Sequence, residues 1–493
     1  MENILPIHLQ EVVFSTSDQQ VSKQISKLEK AGKLRKIASR IYTPNFVDSP
    51  ETIIRRNLFL IVGKLYAGAL LSHRSAMEFK PTTAGHLFLT YSYTKRIRLP
   101  GITLRFLEGP APIEGDHRFF GELYASQTER ALLENLQVSR QKGAESKTLS
   151  IHEIEEKLEA VVRVKNESGL NELRDRARTI AEQLGMKSEF EKLNKLIGAL
   201  LSTQPSKILS SPLAAARAFG NPYDPVRLAT FEHLFVALKQ HEFTTRPDKN
   251  TSAQPFRNFA FFEAYFSNYI EGTEFELSDA KRIIETGTPI ATRAEDSHDV
   301  LGTYRIVSNQ TEMMLTPADS EQLFEMLLYR HQVLLSARIA MNPGQFKDKN
   351  NKAGETHFVD HTLVKGTLAK GFDFYRTLNH PFARAIFMMF LVSEVHPFLD
   401  GNGRIARVMM NAELVKHGQT RIIIPTVYRD DYVGALRRLT RQNDSSAFIR
   451  MLERAWEFSA TIIGDDLDAM EERLKTSNAF KEHDTAKLKI LPL

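Results

Sequence analysis

The amino-acid sequence predicts a mainly α-helical protein with a small β-hairpin flap, preceded by an α+β module. Three observations carry this. From about residue 148 onward, apolar residues recur at helical spacing through segment after segment. Segments rich in β-branched residues and turns are confined to the first quarter of the chain and to one stretch at 355–372. The most apolar run, Ala385 to Val392, is eight residues long. That length suits a buried helix and falls far short of the roughly 18 residues a membrane span needs.

At 493 residues the chain has room for about three domains, each able to bury a core. Hydrophobic content of 42% and charged content of 25% are those of an ordinary soluble protein, and a net charge of +5 is too small for this size to name a partner. The absence of cysteine excludes disulfides, thiolate nucleophiles and cysteine-based zinc sites. The N-terminal MENILPIHLQEVVFS lacks a basic region followed by an apolar core and cleavage site, so the expectation is a cytoplasmic protein with no membrane partner.

Taken in order, Val21 to Lys30 shows Val21, Ile25 and Leu28 at helical spacing, with Ser17 or Asp18 as cap and Gly32 as stop. The β-rich LRKIASRIYTPN follows. Between Val21 and Tyr42 stand seven basic residues, at 23, 27, 30, 33, 35, 36 and 40, against the single acid Glu29. A basic helix followed by a basic hairpin is winged-helix-like, and it makes Lys27, Lys30, Lys33, Arg35 and Lys36 candidates for contact with DNA phosphates. With hairpin candidates HLFLTYSY and ITLRFLEG and the helix ASQTERALLENLQ, the stretch 1–137 is similar to the AbiEi-type antitoxin and transcriptional-regulator family. Residues 138–215 read as a helical spacer or docking element rich in Glu and Lys. A domain boundary is expected in the loop of Ser202 to Pro225, which holds prolines 205, 212, 222 and 225. A helical region 216–292, a catalytic core 293–465 and a loosely held tail 466–493 complete the expected layout.

The chemistry concentrates in His396-Pro-Phe-Leu-Asp-Gly-Asn-Gly-Arg-Ile-Ala-Arg407. Pro381 to Val395 reads as a buried helix with Asn379 as N-cap, which puts His396 at its C-terminal end. From Arg404 helical periodicity resumes and stops at Gly418, so Asp400 to Gly403 should form a tight loop feeding a helix N-terminus, where anions bind. Gly401 and Gly403 can adopt positive φ and turn backbone N–H groups towards phosphate oxygens. Arg404 and Arg407, three apart, should project towards one ligand, for which a polyphosphate fits best. Asp400 offers the oxygen that Mg²⁺ prefers when it bridges to substrate phosphates, and His396 is the nearby group suited to removing a hydroxyl proton near neutrality.

This stretch resembles the Fic family signature, HxFx(D/E)GNGRxxR, at every fixed position. At roughly 5% usage per residue, eight fixed positions coincide by chance on the order of 10⁻¹⁰ per starting point. The resemblance implies transfer of AMP from Mg-ATP to a Ser, Thr or Tyr hydroxyl on a target protein, the chain itself included. It implies His396 as base, Gly401, Asn402, Gly403, Arg404 and Arg407 at the ATP phosphates, and Asp400 as Mg²⁺ ligand. Upstream, Ser267-Asn-Tyr-Ile-Glu271-Gly272 matches the family pattern (S/T)xxxE(G/N), which marks an inhibitory helix whose glutamate pairs with the signature's second arginine, here Arg407. Pro343 to Lys347 looks like the family's Gly-x-aromatic/Arg turn, and Glu355 to Phe372 stands where relatives carry a flap holding the target peptide. The histidines of that flap, His357 and His361, read with Asp360 as incidental rather than as a metal set. Tyr432 is the candidate to approach the adenine, in the closing helix of the core. Two alternatives stay open: removal of AMP by the same site, and a DNA-binding regulator whose core senses nucleotide.

Overall fold

The computed structural model describes residues 10–16, 18–202 and 208–492, so Ser17 and Pro205 lie outside the described residues. The chain forms two compact units, Met1–Phe219 and Gly220–Leu493.

The first unit opens with a small antiparallel sheet, β1 (Val13–Phe14), β3 (Ile41–Thr43) and β2 (Arg35–Ala38), beside the helix Gln19–Lys30. The carboxylate of Asp18 caps that helix, accepting the Gln20 N–H at 2.7 Å. Ile25 buries against Val13 and Leu34. A six-stranded sheet follows, in the order β6 (Lys95–Leu99), β7 (Ile102–Glu108), β5 (His86–Tyr91), β4 (Leu70–Leu71), β9 (Leu123–Ala125) and β8 (His117–Phe120). Its pairing corrects the expected hairpin. HLFLTYSY and ITLRFLEG supply β5 and β7, which run parallel, and the antiparallel partner of β7 is β6, KRIRL. The β6–β7 turn is Pro100-Gly101, with Gly101 at φ 70°, the positive value a tight turn demands of its second residue. The strand is hard to see in sequence because Lys95, Arg96 and Arg98 are exposed, as charges on an edge strand are. The expected spacer consists of the helices Ile151–Leu184 and Lys187–Leu200. They bury Ile154, Leu158, Leu193 and Ile197 with Leu132 and Leu133 of the helix Thr128–Asn135, so they share a core with the preceding module.

The second unit is built around the helix Pro381–Val395, on which Ala385 through Val392 are all buried. Its N-cap is His380 rather than Asn379: the His380 ring nitrogen accepts the Phe382 N–H at 3.2 Å, with Pro381 in the first turn. The next helix, Asn402–Lys416, begins two residues earlier than the apolar periodicity implies, because its first turn is polar. The core region opens with the helix Ala294–Val307. Its inward face carries Ser297, Asp299 and Thr303, all buried, and polar residues on the core side erase the apolar stripe that announces a helix. The flap is a short antiparallel pair, β10 (Lys352–Ala353) and β11 (Thr356–His357), turned at Gly354. Most of the remainder of 355–372 is helical, as part of Val364–Tyr375, its β-branched residues notwithstanding.

The C-terminal segment is not loosely held. After the helix Leu467–Thr476, Ala479 is buried and the Phe480 ring lies 5.0 Å from that of Phe266, while Arg473 donates to the carbonyls of Leu491 and Pro492 at 3.1 and 2.8 Å. Among the described residues no helix is long and apolar enough to cross a membrane.

Candidate active site

The helix Pro381–Val395 ends at His396, which adopts the left-handed conformation, φ 53° and ψ 60°. An unbranched polar side chain tolerates this, and the turn aims the imidazole back along the helix end. Its Nδ1 lies 3.2 Å from the Ser393 carbonyl, so Nδ1 carries the proton and Nε2 keeps its lone pair. The Phe358 ring of the flap stacks on the imidazole, with centroids 3.6 Å apart and planes 4° from parallel. Burial brings the ring down to about 4, which the Ser393 carbonyl opposes and the charge of Lys347 reinforces, so the histidine is neutral across the physiological range.

The loop after His396 is braced from both sides. Asn402 uses its carboxamide inside the loop, accepting the Phe398 N–H at 2.8 Å and donating to the Phe398 carbonyl at 2.9 Å. The Phe398 ring stacks on His331 at 3.8 Å, and the His331 Nε2 lies 3.1 Å from the Asp400 carbonyl. Gly401 takes φ 76° and caps the helix Asn402–Lys416. Gly403 does not adopt positive φ; it lies in the first helical turn, and its role is close approach. A Cβ there would lie 2.2 Å from Oε1 of Glu271.

Glu271 ends the helix Ala253–Ile270, and Gly272, at φ 87°, stops it. The Glu271 carboxylate lies 2.7 Å from Nη2 of Arg407. Ser267, one turn earlier, accepts from the same guanidinium twice, Oγ from Nε at 3.0 Å and the carbonyl from Nη2 at 2.8 Å. The hydroxyl of Tyr432 lies 3.4 Å from Nη1. Glu271, Phe358, His396, Gly403, Arg407 and Tyr432 line one cavity of about 220 Å³. A carboxylate therefore occupies the space between Arg407 and the N-terminal turn of the helix Asn402–Lys416.

Arg404 does not join Arg407 at a common ligand position. Its guanidinium is buried, with Nη1 2.7 Å from Asp299 and 3.3 Å from Asn268, and Nη2 3.6 Å from Asp400. Residues three apart on a helix diverge by about 60° around the axis, enough to give each arginine its own acceptor. Asp400 accepts the Gly401 N–H through Oδ1 at 2.6 Å, and its side chain is 42% exposed. One accessible carboxylate fits a Mg²⁺ whose other ligands are water and phosphate. Among the described residues no cluster of three or more His, Asp or Glu could cage a metal, and His357, Asp360 and His361 form none.

Phe358, Asn268, Asp299 and His331 join the site without being expected from the sequence. Asn268 sits inside the Ser267–Gly272 motif, which was a usable signal; the others lie in segments whose pairing only the fold reveals. In the first unit, Lys27, Lys30, Lys33 and Lys36 are exposed. Arg35 is not available in the same way: its guanidinium donates to the carbonyls of Asn45, at 2.8 Å, and Asp48, which fixes the loop after β3.

A histidine at a helix end, a glycine-led helix N-terminus and a buried arginine face one small cavity. Residues 315–414 match the model of the Fic/DOC family. It is 26% identical over 240 residues to "Protein adenylyltransferase Fic" of Drosophila willistoni, covering 46% of each chain. It is 27% identical over 262 residues to the protein of that name from Nematostella vectensis, covering 48% of this chain and 60% of the relative. The chain thus spans about half the length of the curated relatives it matches. The solved structure of Fic-1 (residues 134–508) from C. elegans superposes with TM-score 0.35 at 16% identity, over 67% of this chain and 98% of that one, a likeness too weak to bear on the site.

Proposed function

We propose that this protein is an adenylyltransferase that moves AMP from ATP to a hydroxyl side chain of a target protein, and that Glu271 holds it inactive. The carrying observation is the Glu271 carboxylate, 2.7 Å from Arg407 and packed over Gly403 at a helix N-terminus. In the proposed reaction the acceptor hydroxyl oxygen attacks the α-phosphorus, a new P–O bond forms, the bond to the α–β bridging oxygen breaks, and pyrophosphate leaves. The hydroxyl proton passes to Nε2 of His396, free because Nδ1 is engaged by Ser393. Phe358 keeps that ring in plane. Gly401 and Gly403 allow the phosphates to approach the helix N-terminus, and Arg407, once released by Glu271, neutralises their charge. Arg404, fixed by Asp299, holds the far side of the cradle. Asp400 would hold a Mg²⁺, which when bound neutralises phosphate charge and supports the leaving group. We assign catalysis to 293–465, inhibition to 216–292 and the adenine wall to Tyr432.

The test is label transfer from α-labelled ATP, with His396→Ala as the control that must fall by about 10²–10⁴-fold. A second reading, removal of AMP with Glu271 orienting a water, is favoured by Glu271 and His396 facing the same cavity. Release of AMP from a modified target separates the two. DNA binding through the exposed Lys27, Lys30, Lys33 and Lys36 is proposed as an added property of the first unit.

A further inference from the structure

The segment between the helix Ser320–Leu334 and the flap grips the signature loop from outside. The Gly344 N–H donates to His331 Nδ1 at 3.0 Å, and the opposite ring nitrogen lies 3.1 Å from the Asp400 carbonyl. The Lys347 N–H donates to the Pro397 carbonyl at 2.8 Å. The Lys347 side chain is 3% exposed, an unusual burial for a lysine, and its Nζ donates to Asn351 Oδ1 at 2.8 Å. Asn351 passes the contact on in two directions. Its Nδ2 donates to the Phe398 carbonyl at 2.8 Å, and its own carbonyl accepts the Phe358 N–H at 3.4 Å. Phe358 is the ring stacked on His396.

A carboxamide between an ammonium and a carbonyl can point only one way, since an ammonium has donors and no acceptor. Lys347 must face Oδ1, so Nδ2 must face Phe398, and Asn351 cannot flip. We propose that Lys347, acting through Asn351, is a positioning residue for the transfer reaction: it locks the root of the flap to the loop after His396 and so fixes how Phe358 presents the histidine. This rests on the reading of His396 as the base. An uncharged side chain at 347 removes the contact to Oδ1, leaves the Asn351 carboxamide held only through the Phe398 carbonyl, and frees the flap to shift by about 1 Å, a displacement that costs on the order of 10²-fold in rate.

The charges facing Lys347 set a second signature. Burial lowers its ammonium to about 8, with Asp360 opposing and Arg227 reinforcing the drop. Arg227 is itself paired with Glu394 at 2.5 Å, Asp360 has His361 at 3.6 Å, and His396 is neutral. Above about pH 8 the lock loses its charge, so turnover should fall on the alkaline side.

The test uses the full chain as Lys347→Met, Asn351→Ala and Lys347→Arg. Expected for the first two is a fall in kcat of about 10²-fold with KM for ATP within about twofold, and faster amide hydrogen exchange confined to 352–358. Lys347→Arg should keep flap exchange slow and abolish the alkaline fall. Wild-type kcat and wild-type flap exchange in both Lys347→Met and Asn351→Ala overturn the proposal, as does exchange that rises evenly through the second unit, which marks a general packing role. Should neither the parent chain nor Glu271→Gly transfer any label, the reading of the site as an adenylyltransferase falls, while exchange at the flap still decides the lock.

Discussion

Replacing Glu271 by glycine tests the proposed inhibition directly. Arg407 loses one of its acceptors but keeps both from Ser267, at 3.0 and 2.8 Å, so its guanidinium stays near its place. The lost charge-assisted hydrogen bond, made by a carboxylate one-third exposed, costs about 1–3 kcal/mol of stability. What is gained is space and charge balance above Gly403, where Oε1 now stands within 2.2 Å of an added Cβ. If the carboxylate displaces the ATP phosphates so that the α-phosphorus sits about 1 Å from its reactive position, the penalty it imposes is on the order of 10²-fold. Glu271→Gly should recover that factor as auto- or target-labelling from α-labelled ATP, and Glu271→Gln, which keeps the bulk and loses the charge, should recover only part. Arg407→Ala should be inactive alone and inactive combined with Glu271→Gly, since the arginine then serves neither as lock nor as clamp. Glu271→Gly no faster than wild type on every acceptor, itself included, would leave the helix as ordinary scaffold. Loss of AMP-removing activity in that variant would make de-AMPylation the primary reading.

His396→Ala should lower transfer by about 10²–10⁴-fold with ATP binding retained, measured by labelling and by nucleotide titration. Because burial holds the His396 ring at about 4, the acid limb of the rate should lie near pH 4 and not near 6.5. His331, also held at about 4 by burial, predicts a matching stability profile: the unfolded chain takes up the proton first, so stability is full above about pH 6.5 and falls as pH drops towards 4, by up to about 3 kcal/mol for that ring in denaturant titrations. DNA affinity of the first unit should fall with salt at about 0.9 in log–log slope per phosphate neutralised, and Lys27→Ala with Lys30→Ala should flatten that slope; no binding at low salt leaves a protein-docking module. Phe480→Ala removes a ring packed on Phe266 and should speed hydrogen exchange across 262–270, where a tail that contributes nothing would change nothing.

What the sequence discloses depends on whether a residue's partner is near it in the chain. The turn between the two helices was legible because His396, Asp400, Gly401 and Arg407 lie within twelve residues, and their spacing on two helix ends already places them close together. The Ser267–Glu271 pair was legible for the same reason: four apart, on one face of one helix. The tail was misjudged because Phe480 finds its partner Phe266 more than 200 residues away, and nothing local marks a polar-looking segment as packed. The strand β6 was missed because its charges describe its edge position rather than its pairing.

Arg404 shows why motif spacing is not geometry. Two arginines three apart suggested one shared ligand, yet the helix carries them to different sides of the cradle, and Arg404 meets Asp299 on a helix that its own buried polar residues had hidden. A buried guanidinium without a counter-charge is costly, so the chain had to supply an acid to Arg404 permanently. Asp299, 1% exposed and also bonded to Arg338 at 2.8 Å, is that acid. Arg407 has instead an acid on a helix end, Glu271, one-third exposed and free of any second ion pair among the described residues. The two pairs differ in how easily they part: the Asp299 pair is held on both sides, whereas moving one helix terminus releases Arg407. The asymmetry accords with the proposed division of labour, in which Arg404 keeps a fixed acid partner and Arg407 has one that can be moved.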